Sequence, residues 1–581
     1  MCKRILLSVL LVLFTGTTSF CADGDPLLAG KVGDGSELTG VDADLFQGWA
    51  YIPVVSGGTG KTNWNYSNYP IMYLPNSTSA AEIAIGTAGQ YLKVKSTATG
   101  YEWGTLGSAA TRSAEDTLTN GSNLPDGAAI KAYGDSNWGS GAVPWVRPED
   151  YGAVVNDSTD DTAAFVLALA AGDWVLCSEG TYNFSSHFTI PSGKYLSGVK
   201  PGDYFIDETP TDGTIFVPSE ITADNDTTYF IEMESNSRIS DLCIFYSGQY
   251  TTNRTPKIYP WTLWTDGDVR GVHVSDISVY RAYKFMFAHG SSFVVTNVYG
   301  NIIKYGIWDT KGGDTSYYTN VHFQPVHSPG NQWVVTDMWA WSTSNGTRAF
   351  YTGVGTGAGG TGNSWNKFTN CFGYGFEYVF YVDTGVSGTV LTNCGGDYSK
   401  HPFYILGTKT ILNSCQAVAG DRLDTSTRAV AYHGFTIGNS TYETYNLNMT
   451  NCHAWSCAGA GVYIEQAENT SIDNMMVTGW SQSSDGGQWG AIHFPTAVSS
   501  TEVFATSIRG LNTDAPGSNG ASSIYCQGTP NYLTVVGGIF RGDGKTGTYG
   551  LRGAASTDSY NYANLFIGCA TDVSGTWTSA P

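Results

Sequence analysis

Phe368–Gly373 reads FTNCFG, Leu391–Gly396 reads LTNCGG and Met449–Ala454 reads MTNCHA. A cysteine repeated in one setting suggests a metal first. The step, however, belongs to a longer series in which a polar residue precedes an apolar one: Asp241, Asp276, Asn297, Asn320, Asp337, Asn370, Asn393, Ser414, Asn451, Asn474 and Ser507. Successive members lie 35, 21, 23, 17, 33, 23, 21, 37, 23 and 33 residues apart. Intervals near 22 residues fit one coil of a β-solenoid, and the longer ones fit coils with an inserted loop.

A second series lies between these steps, a glycine or small residue followed by alternating apolar residues. YGIWD at Tyr305, HGFTIG at His433, AGVYIE at Ala460 and WGAIHF at Trp489 belong to it. Each coil then supplies at least two short strands, stacked on their copies about 4.8 Å away. The asparagines are expected to form a side-chain ladder at a turn. Cys371, Cys394 and Cys415 then project in one direction from consecutive coils. That spacing exceeds the ~3.8 Å between Cβ atoms of a disulfide, and a flat column offers zinc no converging ligands. The cysteines read as small buried hydrophobes. A local Cys452–Cys457 pair remains an alternative.

Bulk properties agree with an all-β chain. Of 581 residues, 72 are glycine, 13% are aromatic and only 14% are charged. With 29 basic and 50 acidic residues the net charge is −21, which repels nucleic acid and anionic lipid, so neither is expected as a partner. Residues 1–22 read as a secretory signal: Lys3 and Arg4 precede ten apolar-rich residues, ILLSVLLVLF, and small residues lead to Ala22. No stretch approaches the length of a membrane span. Eleven cysteines become nine once Cys2 and Cys21 leave with the signal, an odd number that excludes complete pairing within one chain.

Residues 23–143 are rich in Gly, Ser, Thr, Ala and Asn and read as small β-hairpins or connectors. SGGTGKT at Ser56–Thr62 fails as a phosphate loop, because Val55 stands where glycine is needed and NWNYSNYP cannot form the following helix. PVVSGGTGKT and GTAGQYLKVKSTATGYEWGT instead resemble phage tail-fibre segments, which implies an attachment region. From Pro148 the text changes to PEDYGAVVNDSTDDTAAFVLALAAGDWVLCSEGTYNF. A helix is expected over Asp160–Ala171, capped by Ser158 or Thr159, with Asp160 and Asp161 in its first turn. This passage resembles the opening of the pectate-lyase superfamily, in the branch of phage tailspikes and rhamnogalacturonase-like proteins. The resemblance implies that residues 144–581 form a right-handed parallel β-helix closed by that helix. It departs at Val155-Asn156-Asp157 and at Cys177-Ser178. Because the motif is a structural cap, it carries fold and not activity.

Linear polymers bind along solenoid flanks, and sugar rings stack on aromatic faces. Trp339, Trp341, Tyr374, Trp455 and Trp480 recur just after the ladder steps and are candidate substrate-binding residues. Glu377, Asp397 and Asp421 follow three successive steps and are candidate catalytic acids. Adjacent coils would hold two carboxyls about 5 Å apart, suiting a retaining glycosidase, and alternate coils about 10 Å apart, suiting an inverting one. Asp309 and Glu465 are further acids to consider. A lyase would use Arg281, Lys400 or Arg422 as base, with calcium on Asp397. Otherwise no metal or cofactor is expected, and the acidic surface favours hydrolysis of a polysaccharide.

The sequence thus points to an exported or virion-borne homotrimer that recognises and depolymerises a polysaccharide. The rival reading is an adhesin or tail structural protein that binds glycan without cutting it.

Overall fold

The chain divides into two units, Met1–Ala132 and Tyr133–Pro581. The computed structural model describes four strands in the first unit. In the second it describes residues 145–579, apart from 202–209, 219–227, 250–255, 311–314, 325–344, 354–362, 421–431, 483–488, 497–502 and a few short stretches beyond 514. The expected signal segment, Trp339, Trp341 and Asp421 lie outside the described residues. In the first unit, Ile71–Asn76 pairs antiparallel with Ser79–Ile83, and Gln90–Val94 with Tyr101–Thr105. These are the small hairpins that the turn-rich composition predicts.

The second unit is a right-handed parallel β-helix. Each regular coil has three strands, where two was the minimum expected. One coil runs Lys367–Thr369, Phe372–Tyr374 and Tyr378–Val382; the next runs Val390–Thr392, Gly395–Ser399 and His401–Ile405. Every strand pairs in parallel with its counterpart one coil on, so the molecule has three lateral faces.

The ladder residues make the turn between the first and second faces. Asp241, Asp276, Asn297, Asn320, Asn370, Asn393, Ser414, Asn451 and Asn474 all have φ between +51° and +58°. A left-handed residue clashes through its Cβ, and Asn and Asp tolerate this best after glycine, which explains why the repeat is polar there. The amides then bond along the axis. Asn297 Nδ2 donates to Asp276 Oδ1 at 2.9 Å, Asn320 Nδ2 to Asn297 Oδ1 at 3.0 Å, and Asn370 Nδ2 to Asn320 Oδ1 at 3.3 Å.

Two members of the series are corrected. Thr319 pairs directly with Thr369, so Asn370 follows Asn320 in the column, and Asp337 lies outside the described residues. Asp473 pairs with Arg509, so the turn after Asn474 is Gly510 (φ +63°), and Ser507 lies three residues upstream in the first-face strand. Glycine takes over there, and again at Gly537 (φ +65°), because it meets no Cβ penalty.

The residue after each turn points inward. Cys371, Cys394, Cys415 and Cys452 occupy that slot, all buried with free thiols. Each thiol donates to a carbonyl of the preceding coil, as Cys394 does to Phe368 at 3.4 Å. Cys452 and Cys457 are likewise unpaired. On the third face Phe350, Phe380, Phe403 and Phe435 stack inside the core with ring centres 4.7, 5.0 and 4.7 Å apart. Burial of each ring stabilises the coil by about 1.5–3 kcal/mol.

The helix α1 spans Thr162–Ala171, starting two residues later than expected. Neither Ser158 nor Thr159 caps it. The N-cap position is Asp161, without a side-chain capping bond to the helix, and Asp160 before it accepts from the Thr162 N–H at 3.1 Å and from Ser185 Oγ at 2.6 Å. Asp161 ties two elements together, accepting from the Val154 and Asn183 amides at 2.9 Å each. Both aspartates are structural, as the motif implied. Phe165 on α1 plugs the end of the solenoid, its ring 5.0–5.9 Å from those of Tyr182, Phe184, Phe188 and Phe216.

Candidate functional site

The third face carries a second, outward set of rings. In each of its strands one residue follows the inward-facing Phe, Ile or Val, and parallel register stacks these residues; Tyr351, Thr436 and His493 among them are buried, and Trp308, Tyr381, Tyr404, Tyr463 and Tyr525 are partly exposed. Trp308, Tyr351, Tyr381 and Tyr404 form one run, with centres 4.3, 5.5 and 5.0 Å apart. Thr436 interrupts it, and Tyr463, His493 and Tyr525 continue it at 5.7 and 5.0 Å. Beside it runs a second column, Tyr305, Arg348, Tyr378 and His401, set by the pairs Tyr305–Arg348, Arg348–Tyr378 and Tyr378–His401. His401 lies flat on Tyr378 at 4.8 Å, and His433 flat on Tyr463 at 4.2 Å.

The imidazoles of this stripe are neutral near pH 7. Burial lowers His401 to about 4, with Lys400 adding to the effect, and burial lowers His493 to about 4. Burial also drives His433 well below its usual range. Tyr378 is pushed up to about 12 by burial and by the Glu377 charge. The face therefore presents rings, phenol hydroxyls and, at His401, a partly exposed neutral imidazole, while His433 and His493 lie buried beneath it; such a surface suits stacking on and hydrogen bonding to sugars.

Glu377 sits at the corner leading into this face, immediately before Tyr378. Its Oε2 accepts from the Gly346 N–H at 2.7 Å, and Lys400 Nζ stands 3.9 Å from Oε1. Because Tyr378 pairs with His401, the neighbour of Glu377 in the next coil is Lys400, not an acid. Asp397 stacks on Tyr374 in the second face, and Tyr374 packs edge-on against Tyr398 at 5.8 Å. Trp455 is an exposed second-face ring packed on His453 at 5.5 Å. Trp480 is corrected: it is 1% exposed and belongs to the core, so no sugar ring reaches it. Asp309 is also sealed inside. Tyr318 Oη, Asn363 Nδ2 and Asn366 Nδ2 donate to its carboxyl at 2.5, 3.0 and 3.0 Å, and burial raises it to about 7. Glu465 lies close enough to act on Tyr404 and Tyr463.

Among the described residues no group of three or more His, Cys, Asp or Glu side chains is placed to hold a metal ion, and no helix is long and apolar enough to cross a membrane. The outward rings of the third face escaped the sequence reading. A signal existed: Phe287, Trp308, Tyr381 and Tyr404 each stand eleven residues after Asp276, Asn297, Asn370 and Asn393.

The class of the molecule is thus the right-handed parallel β-helix with a helical cap. No protein-family model matches the chain, and no curated protein matches it in sequence. Solved structures similar to it include the A-module of the Azotobacter vinelandii mannuronan C-5 epimerase AlgE4, at 14% identity over 75% of this chain and 100% of that one, with a TM-score of 0.42. The catalytic domain of a GH87 α-1,3-glucanase in complex with nigerose is 16% identical over 68% of this chain and 69% of that one, with a TM-score of 0.46. Tailspike protein 3 of bacteriophage CBA120 is 11% identical over 85% of this chain and 74% of that one, with a TM-score of 0.46.

Proposed function

We propose that the protein is an exported or virion-borne polysaccharide-recognising protein that lays a glycan along the third face and depolymerises it. One observation carries the reading: the stripe of stacked rings from Trp308 to Tyr404, resumed from Tyr463 to Tyr525, in which Trp308, Tyr381, Tyr404, Tyr463 and Tyr525 are partly exposed. A run of stacked rings with no dedicated cavity suits an extended polymer more than a small molecule. Trp455 and Tyr374, both on second-face strands, extend the proposal to the neighbouring face, and Trp339 and Trp341 stay candidate binding residues.

Hydrolysis is the favoured chemistry. Glu377 borders the stripe and is contacted by two donors, the setting of a base or nucleophile. Asp397, one coil on, and Asp421 are the proposed partners, the first for a retaining and the second for an inverting route. Binding without cleavage is the second reading, and the placement of Lys400 beside Glu377 favours it. A panel of bacterial and plant polysaccharides tests both. New reducing ends signal hydrolysis, absorbance of an unsaturated uronate signals elimination, and retention without either signals an adhesin. On the polymer that is cut, Asp397→Asn should lower turnover by about two orders of magnitude or more with binding kept. Near-normal turnover removes Asp397 from the mechanism, and an active triple variant that also changes Glu377 and Asp421 removes the site.

A further inference from the structure

Arg348 lies in the middle of the aromatic stripe, and its surroundings are unusual for a cation. Four rings surround its guanidinium, with centres 4.5 Å (Tyr381), 4.7 Å (Tyr351), 5.0 Å (Trp308) and 5.8 Å (Tyr378) away. Rings attract the charge through their faces but accept no in-plane N–H bond of ordinary strength. The Nε–H is buried without a hydrogen-bond partner, and no carboxylate among the described residues forms an ion pair with this side chain. Asp383, which acts with Arg348 on the same Tyr351 and Tyr381 hydroxyls, accepts from the Tyr351 hydroxyl at 2.5 Å. Two positions along the same column, His401 stacks on Tyr378 and its Nδ1 is also buried and unpartnered.

From this geometry we infer that Arg348 receives a carboxylate of the bound glycan, so that the polymer contains an acidic sugar. The inference rests on the third face being the glycan site. A guanidinium held flat by rings keeps its donor edge in plane, and a carboxylate matches that edge with two parallel hydrogen bonds. A sugar ring stacked on Tyr378 or Tyr381 would bring a carboxylate on its rim to that edge, while His401 meets the next residue of the chain. The net charge of −21 does not oppose this. Charges more than about 8 Å from the site are screened at physiological salt, and the local cation decides.

The test uses affinity electrophoresis of the full chain at physiological ionic strength, about 0.15 M. Gels contain polygalacturonate, alginate or hyaluronan, each beside its carboxyl-reduced form, with dextran as a neutral control and dextran sulfate as a non-carboxylate polyanion. Retardation by at least one carboxylated polymer, weaker by about tenfold or more for its reduced form, is expected. Arg348→Gln should abolish that difference, bringing the ratio of acidic to reduced binding to about one; Arg348→Lys should retain part of it. The comparison of acidic with reduced polymer on the unaltered protein holds whether or not the variants fold. Equal binding of the acidic and reduced forms overturns the inference, as does Arg348→Gln weakening both alike, or retardation by dextran sulfate alone. Binding to neutral polymers only overturns it while leaving the glycan reading intact. Binding to none of them removes both.

Discussion

Trp455 and Trp480 sit in neighbouring coils with opposite fates: the first is 49% exposed and the second 1%. The difference lies in where each falls around the coil. Trp455 is the partner of Thr478 on an outer strand position, and Trp480 follows two residues later, where the chain turns inward. Trp480→Ala should therefore cost about 3–5 kcal/mol, and Trp455→Ala no more than about 0.5 kcal/mol, read from denaturant midpoints. Equal losses would contradict these placements. Asp309 gives a pH signature. Burial raises its carboxyl from 3.8 to about 7, so between those values the folded protein holds a proton that the unfolded chain has released. Its contribution to stability is complete below about pH 4 and is lost as pH rises towards 7. His401 and His493, lowered to about 4, slope the other way, losing stability as pH falls from 6.5 towards 4. Comparing Asp309→Asn with the unaltered protein cancels the histidines. The melting temperature of the variant should rise relative to the parent from pH 4 to pH 7, and a constant offset would refute the assignment.

At the scale of elements, the turn between the first and second faces is set by conformation as well as by the ladder. Asn320 has φ +55°, donates to Asn297 and accepts from Asn370. Asn320→Gly loses the two hydrogen bonds, each about 0.5–1.5 kcal/mol, but keeps a relaxed backbone. Asn320→Ala loses the bonds and adds the left-handed penalty of about 1–2 kcal/mol. Alanine should therefore be the worse of the two by about that amount in denaturant titration, and equal effects would show that the ladder bonds alone matter. The strand repeat was legible because the ladder residue is nearly invariant in type. The third-face stripe was harder to read, because insertions alter the distance from ladder to outer ring. It is eleven residues from Asn393 to Tyr404 but 31 from Asn320 to Tyr351. The start of α1 was placed too early, before its N-cap Asp161, because Ser158, Thr159 and Asp160 are all capable acceptors. Only the strand that brings Ser185 to Asp160 distinguishes them.

Taken as a molecule, the solenoid is closed by α1 at one end, and its last described coils are apolar outside. Tyr562, Leu565, Ile567 and Val573 are 50, 53, 43 and 39% exposed. Clustered apolar surface of this kind is usually covered. Closed threefold packing would cover it, so a homotrimer is expected in solution. Light scattering of the full chain at micromolar concentration should give three times the chain mass of 62.2 kDa, and a monomeric mass would contradict it.

The sequence by itself determined the coil. A polar residue that tolerates a left-handed backbone, followed by an inward apolar residue and repeated near every 22 positions, leaves few folds other than a solenoid. It also indicated, from the regular spacing, that the ladder cysteines pack, while the structural role of Asp160 and Asp161 was implied by the resemblance of the cap motif. Tertiary structure alone decided which aromatic residues face outward and which charges meet. Those outcomes depend on register between strands separated by insertions of unequal length. Parallel pairing of Tyr378 with His401 puts Lys400 beside Glu377, and pairing of Arg348 with Tyr378 encloses a cation in rings. Neither neighbour is close in sequence, because a parallel coil brings together residues a full turn apart.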